Sequence, residues 1–292
     1  MTIPLATAAF VATLLLLPAS ARAQSADRVG PRAPGMAGAF VAVADDSSAT
    51  WWNPGALAAG PFFDLSLGAG TAVSGFSAGI PPFGLHYLRF RGAIDPTAAP
   101  AAVREDRRAR DPLGASQAGI TLVQTLVEGV HAGVTLRVAR GEALDGDTGM
   151  TGDLDVGVLA VAGVMRLGAV VRNARNSRAG DVRFERGVRV GVAFDADRAG
   201  YGPGIVALDV DLREYDADAG RRQVIAAGAE RWFGARRAAI RGGARVNIAP
   251  GGEVAGTAGA SLALRAGLFV DGYVALGGDA ERGWGVSGRV SF

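Results

Sequence analysis

Asp209 and Asp211 stand at the spacing where two carboxylates can reach one divalent cation. On a strand the pair shares a face with Arg213, and an ion-paired network then accounts for them without a metal. Gly75-Phe76-Ser77-Ala78-Gly79 matches the turn that exposes a nucleophilic serine. That chemistry needs a strand-to-helix turn, and Pro81-Pro82 follows instead. Gly283 to Gly288 has the glycine spacing of a dinucleotide-binding turn, with no room after it for the βαβ unit. In a chain with 44 glycines, composition alone supplies both matches. The histidines His86 and His131 lie far apart in sequence, neither beside a recognisable nucleophile. Cysteine is absent, which removes thiol catalysis, thiolate metal sites and disulfides. The expectation is no enzyme, no bound metal and no cofactor.

The elements that would position these residues are strands. Val206, Leu208, Val210 and Leu212 alternate with Ala207, Asp209, Asp211 and Arg213. Val130, Ala132, Val134, Leu136 and Val138 alternate with His131, Gly133, Thr135, Arg137 and Ala139. Successive strand side chains point to opposite faces, so each run has an apolar and a polar face. Such runs are expected at 62–71, 73–80, 84–92, 115–125, 129–140, 153–163, 164–172, 183–194, 204–213, 222–232, 237–247, 254–264, 267–277 and 283–292.

A soluble sandwich would alternate in the same way, so chain-level features must separate the two arrangements. The 292 residues are 49% hydrophobic, yet after residue 23 no run is long enough for a membrane helix. Ala8 to Leu17, then Pro18 and Ala21-Arg22-Ala23, reads as a signal peptide over 1–23. All 30 basic residues are arginines and face 28 acids, too even a balance for a nucleic-acid partner. Connections also alternate in length. Those at 93–114, 141–152, 173–182, 214–221, 248–253 and 278–282 are mostly longer than those at 126–128, 233–236 and 265–266. Long extracellular loops and short periplasmic turns are the mark of an outer-membrane barrel with an even strand number. Asp195 to Pro203 breaks that rule. The loop 93–114 carries balanced charge and reads as a solvated outer segment. Phe292 resembles the C-terminal aromatic signature of such barrels, and Tyr273, Trp232, Phe233 and Trp284 stand where aromatic girdles lie.

The inward set expected from parity is Arg137, Asp153, Asp155, Arg166, Arg172, Glu185, Arg189, Asp209, Asp211, Arg213, Arg241, Arg245, Arg265 and Arg289. A lumen so charged suits a salt-bridged, plugged barrel better than a greasy conduit.

The most specific segment is Gly30 to Leu57, with Gly35-Met36-Ala37-Gly38-Ala39, then Asp45-Asp46-Ser47-Ser48-Ala49, then Asn53-Pro54-Gly55-Ala56-Leu57. It resembles the opening of the long-chain fatty-acid transporter superfamily of outer-membrane barrels (FadL/TodX), and more closely its PorV/PorQ-like branch. Ala37 replaces a glycine of the family pattern, and Gly55-Ala56 swaps two small residues. Weaker resemblance runs through 171–173, 207–212 and 264–267. The resemblance implies an all-β, transmembrane, antiparallel up-and-down barrel of about 14 strands. It further implies a hatch at 24–60 folded inward, ahead of a barrel at 61–292.

Residues of the hatch fit that role. Asn53 before Pro54 is a turn starter able to bond the backbone two residues on. Gly35, Ala37, Gly38 and Ala39 permit close backbone packing. Asp45 and Asp46 are expected to accept from lumen arginines such as Arg137, Arg172, Arg189 or Arg245, or to cap a short helix near Ser47. Gly35, Met36, Gly38, Phe40, Asp45, Asp46, Asn53 and Pro54 are therefore the candidate hatch and ligand residues. The implied activity is passive uptake of a hydrophobic ligand, with membrane lipid as surroundings. The alternative is a non-conducting scaffold that carries a secretion or surface protein at the outer membrane.

Overall fold

Period-two alternation closes on itself in the computed structural model, which describes residues 26–91, 114–142, 148–180, 182–217, 220–278 and 281–292. The signal peptide at 1–23 and nearly all of the loop 93–114 lie outside the described residues. The barrel has 14 strands, each antiparallel to its sequence neighbours. In order they are Asp64–Gly70, Val73–Ile80, Phe83–Phe90, Ala115–Val127, Val130–Glu142, Thr148–Ala162 and Met165–Arg172. Gly187–Asp195, Gly204–Asp211, Val224–Phe233, Ala238–Asn247, Val254–Arg265, Leu268–Gly277 and Gly283–Ser291 complete it. The first and last strands form the seam, with Leu65 opposite Val290 and Gly68 opposite Ser287.

Every expected strand is present, and the differences lie at the ends. The strand expected from 183 starts at Gly187, because Gly180 (φ +59°) turns the chain back into a small hairpin. That hairpin pairs Arg178–Ala179 with Val182–Arg183. A second ribbon, Tyr215–Ala217 with Gly220–Arg222, occupies the connection after Asp211. The glycine-rich strand Val73–Ile80 pairs on both sides. There Gly75 is extended at φ +152°, and a Cβ would collide with the Tyr87 carbonyl. The long connection after Asp195 is a compact turn, closed by the Tyr201 N–H donating to the Ala196 carbonyl at 2.8 Å.

The two faces are inverted relative to a soluble protein. Leu208 is 44% exposed on the outer face, while Asp209 beside it is 1% exposed on the inner. Leu67, Leu85, Ile120, Leu136, Leu167 and Ile240 join the outer face, and Thr135, Arg137, Asp155 and Arg241 the inner. An apolar outer belt around a charged interior is the arrangement of an outer-membrane barrel. Parity fails at two expected positions, and two of the expected girdle aromatics lie inside. Arg213 is exposed because its strand stops at Asp211. Arg265 is exposed because the ladder shifts register between Ala263 and Arg265. Tyr273 and Trp232 point inward rather than into a girdle: Tyr273 fills the space left by Gly285, and the Trp232 indole donates to Glu230.

Candidate functional site

The apolar core of this molecule is inside the barrel, where the segment ahead of it packs on inward wall residues such as Val73, Leu88, Leu159 and Val224. Short helices at Arg32–Gly35 and Ala49–Trp52 and a 3-10 turn at Pro54–Ala59 fill the lumen. Met36, Phe40, Val41, Val43, Trp52 and Leu57 are fully buried there. The Phe40 ring stands edge-on to Trp52 at 6.0 Å and under the Arg32 guanidinium at 5.3 Å.

Close approach of this segment to the wall depends on wall glycines. At Gly157 a Cβ would strike the Asn53 side chain, and at Gly168 it would strike the Val41 carbonyl. Gly35 meets the Arg241 side chain where its own Cβ would be, and Met36 lies against Gly228 and Gly243. Gly38 takes φ +86° and Ala37 φ +58°, so the bend between the helix and Phe40 is left-handed.

Asn53 behaves as its position predicts. Its Oδ1 accepts the Gly55 N–H at 3.1 Å, and its amide donates to the carbonyls of Val41 and Val158 at 2.8 and 2.9 Å. Pro54 follows in the first turn of the 3-10 element. The helix near Ser47 begins at Ala49, with Asp46 Oδ1 accepting the Ser48 N–H at 2.9 Å.

The ion pairs differ from expectation. Asp45 and Asp46 do not meet Arg137, Arg172, Arg189 or Arg245. Both accept from Arg32 of their own segment at 2.8 Å, and Asp45 also lies 3.8 Å from Arg166. The turns between 32 and 46 bring Arg32 back over the acidic pair. Its remaining nitrogens bind Glu230 of the wall at 3.1 and 2.8 Å. Glu230 in turn takes Arg241 at 3.0 Å. Arg137 pairs instead with Asp155 at 2.9 Å, and Arg245 with Glu281. Arg189 binds Asp211 through two nitrogens, at 2.6 and 3.0 Å, and Asp27 at 3.0 Å. Asp27 also pairs with Arg222, which binds Glu281 at 2.8 Å.

Asp209 and Asp211 therefore have separate tasks rather than a shared network with Arg213. One oxygen of Asp209 accepts both the Phe40 and Val41 N–H groups at 2.9 Å. Burial works to raise the Asp27 carboxyl, but Arg189 and Arg222 hold it well below the usual carboxylate range. Asp46 is lowered in the same way, with Arg32 overcoming burial.

Sequence reasoning missed Arg32, Asp27 and Glu230, which join the segment to the barrel, and Glu281, which ties Arg222 to Arg245. Parity could have found Glu230, which alternates with the outward Ala229 and Arg231. The Ser77 of the serine motif lies on a strand and shares a hydrogen bond with Ser47 at 2.9 Å.

No protein-family model matches the chain, and no curated protein matches it. Solved structures do. The monoaromatic hydrocarbon channel CymD superposes with a TM-score of 0.64 at 13% identity, covering 90% of this chain and 97% of that one. The Ralstonia pickettii toluene transporter TbuX gives 0.62 at 10% identity, over 91% of this chain and 99% of that one. The Pseudomonas putida toluene transporter TodX gives 0.52 at 10% identity, over 84% and 92%. At these identities the agreement is one of fold, and it is the fold that the Gly30–Leu57 motif implies.

Proposed function

We propose that this chain mediates passive uptake of hydrophobic small molecules across the outer membrane, with residues 24–60 as a plug inside the barrel 61–292. In this reading 1–23 is the export signal. Gly35, Met36, Gly38, Phe40, Asn53 and Pro54 dock the plug, while Asp45 and Asp46 pin it through Arg32. The fold shared with proteins named as hydrocarbon channels and toluene transporters supports the ligand class.

One observation carries the reading. Between the plug and the wall lies a recess lined by Val29, Pro31, Gly68, Val73, Gly75 and Leu88, among others. Among the described residues lining it, Arg28 is the only charged side chain. In a lumen otherwise crossed by ion pairs, that recess suits an apolar ligand, which loses little by leaving water for such a surface.

The test is the initial rate of toluene entry into cells expressing the chain, against cells lacking it. Uptake is expected to exceed the control and to fall when Ser66→Phe, at an inward strand position lining the recess, fills it. Uptake equal to the control would replace this reading with the non-conducting scaffold.

A further inference from the structure

Among the described residues, the inward arginines of the strands have a carboxylate within 4.0 Å, with Arg172 as the exception. Arg137, Arg166, Arg189, Arg241, Arg245 and Arg289 are each paired. Arg172 instead has its guanidinium 5.6 Å from the Trp51 ring and 5.1 Å from the Trp52 ring. It ends its strand on the side of the long connections and lines a recess there with Trp51, Val188 and Tyr215. The lining acids are already engaged. Asp211 is held by two nitrogens of Arg189, and Glu185 accepts from Arg183 at 3.3 Å and from the Asp216 N–H at 2.8 Å. Burial pushes the Tyr215 phenol up to about 12, so it stays protonated and able to donate.

A guanidinium with no carboxylate within 4.0 Å, a phenol donor and the Trp51 indole line one recess. A planar guanidinium recognises a carboxylate through parallel N–H donors, and the rings accept a flat apolar body. We propose that Arg172, with Trp51 and Tyr215, binds an aromatic carboxylate at the mouth that carries the long connections. This site does not depend on the uptake reading, because it concerns binding at the mouth and a charged ligand.

The test uses full-length protein purified in detergent, with quenching of tryptophan fluorescence by benzoate. Saturable quenching is expected, at least about tenfold weaker for the neutral analogue benzamide, since the amide forfeits the charge-assisted contacts. Arg172→Gln should weaken benzoate by about tenfold or more, while Arg172→Lys retains part of the affinity. Equal affinity for benzoate and benzamide in the unaltered protein would overturn the proposal whether or not the variants fold. So would unchanged benzoate binding in a folded Arg172→Gln protein. Displacement of benzoate by inorganic phosphate at equal concentration would also overturn it, by revealing an anion site with no use for a ring. Toluene uptake that persists while benzoate fails to bind would leave the uptake reading standing and remove only this one.

Discussion

Arg32 of the plug and Glu230 of the wall, 198 residues apart, face each other through two hydrogen bonds of 3.1 and 2.8 Å. The two-toothed geometry fixes orientation as well as distance. Because Arg32 also grips Asp45 and Asp46, one guanidinium joins the plug's own fold to the barrel. Glu230→Gln should therefore loosen the plug around Arg32 without disturbing strand pairing, while Asp209, Asn53 and Asp27 still hold the rest of it. Losing one partner of a buried pair costs about 3–5 kcal/mol. Limited trypsin digestion of the folded protein should then cut at Arg32, which the unaltered protein protects. Equal protection would show that other contacts hold the plug.

Asp45 and Asp46 should be unequal in effect. Both sit 2.8 Å from Arg32, but the Asp45 side chain is 34% exposed and the Asp46 side chain 6%. Water screens the first pair, so Asp45→Ala should cost little. Asp46→Ala also removes the acceptor for the Ser48 N–H and should loosen the plug markedly. The same trypsin assay ranks them, and a reversed order would misassign the pin.

Leu208→Arg should impair folding into bilayers more than Asp209→Asn. An arginine at the lipid-facing midplane costs about 2–4 kcal/mol, whereas asparagine keeps an oxygen to accept the Phe40 and Val41 N–H groups. The folded fraction read from heat-modifiable gel migration measures this. The opposite order would mean that the faces of the strand are reversed.

Those faces were legible in the sequence because parity alone decides them. Val206 to Asp211 reads directly as lipid side and lumen side, and the turn at Asn53-Pro54 follows from local chemistry. Partner choice was not legible. Asp45-Asp46 meets Arg32, thirteen and fourteen residues upstream, because left-handed Ala37 and Gly38 fold the segment back on itself. Parity says that Arg137, Arg172, Arg189 and Arg245 point inward, but not which acid arrives opposite each one. It also fails at a strand end or bulge, as at Arg213 and Arg265.

Acid should release the plug only below the ordinary carboxylate range. Asp27 has a docked pKa well below 3.8 despite its burial, because of Arg189 and Arg222. A depressed carboxyl contributes fully above its free value and loses that contribution as pH falls through the docked value. The intact protein should thus keep the same low conductance from about pH 7 to pH 5 and open only below about pH 4. Opening near neutral pH would exclude Asp27 as the controlling group.

Whether the segment inside the barrel closes it is read by single-channel conductance in planar bilayers. The 14 barrel strands from Asp64 onward pair with one another, so deletion of residues 30–57 should leave an assembled barrel. Intact protein should be nearly closed, and the deletion protein should conduct ions through a larger pore. Equal conductance of the two would contradict closure by this segment.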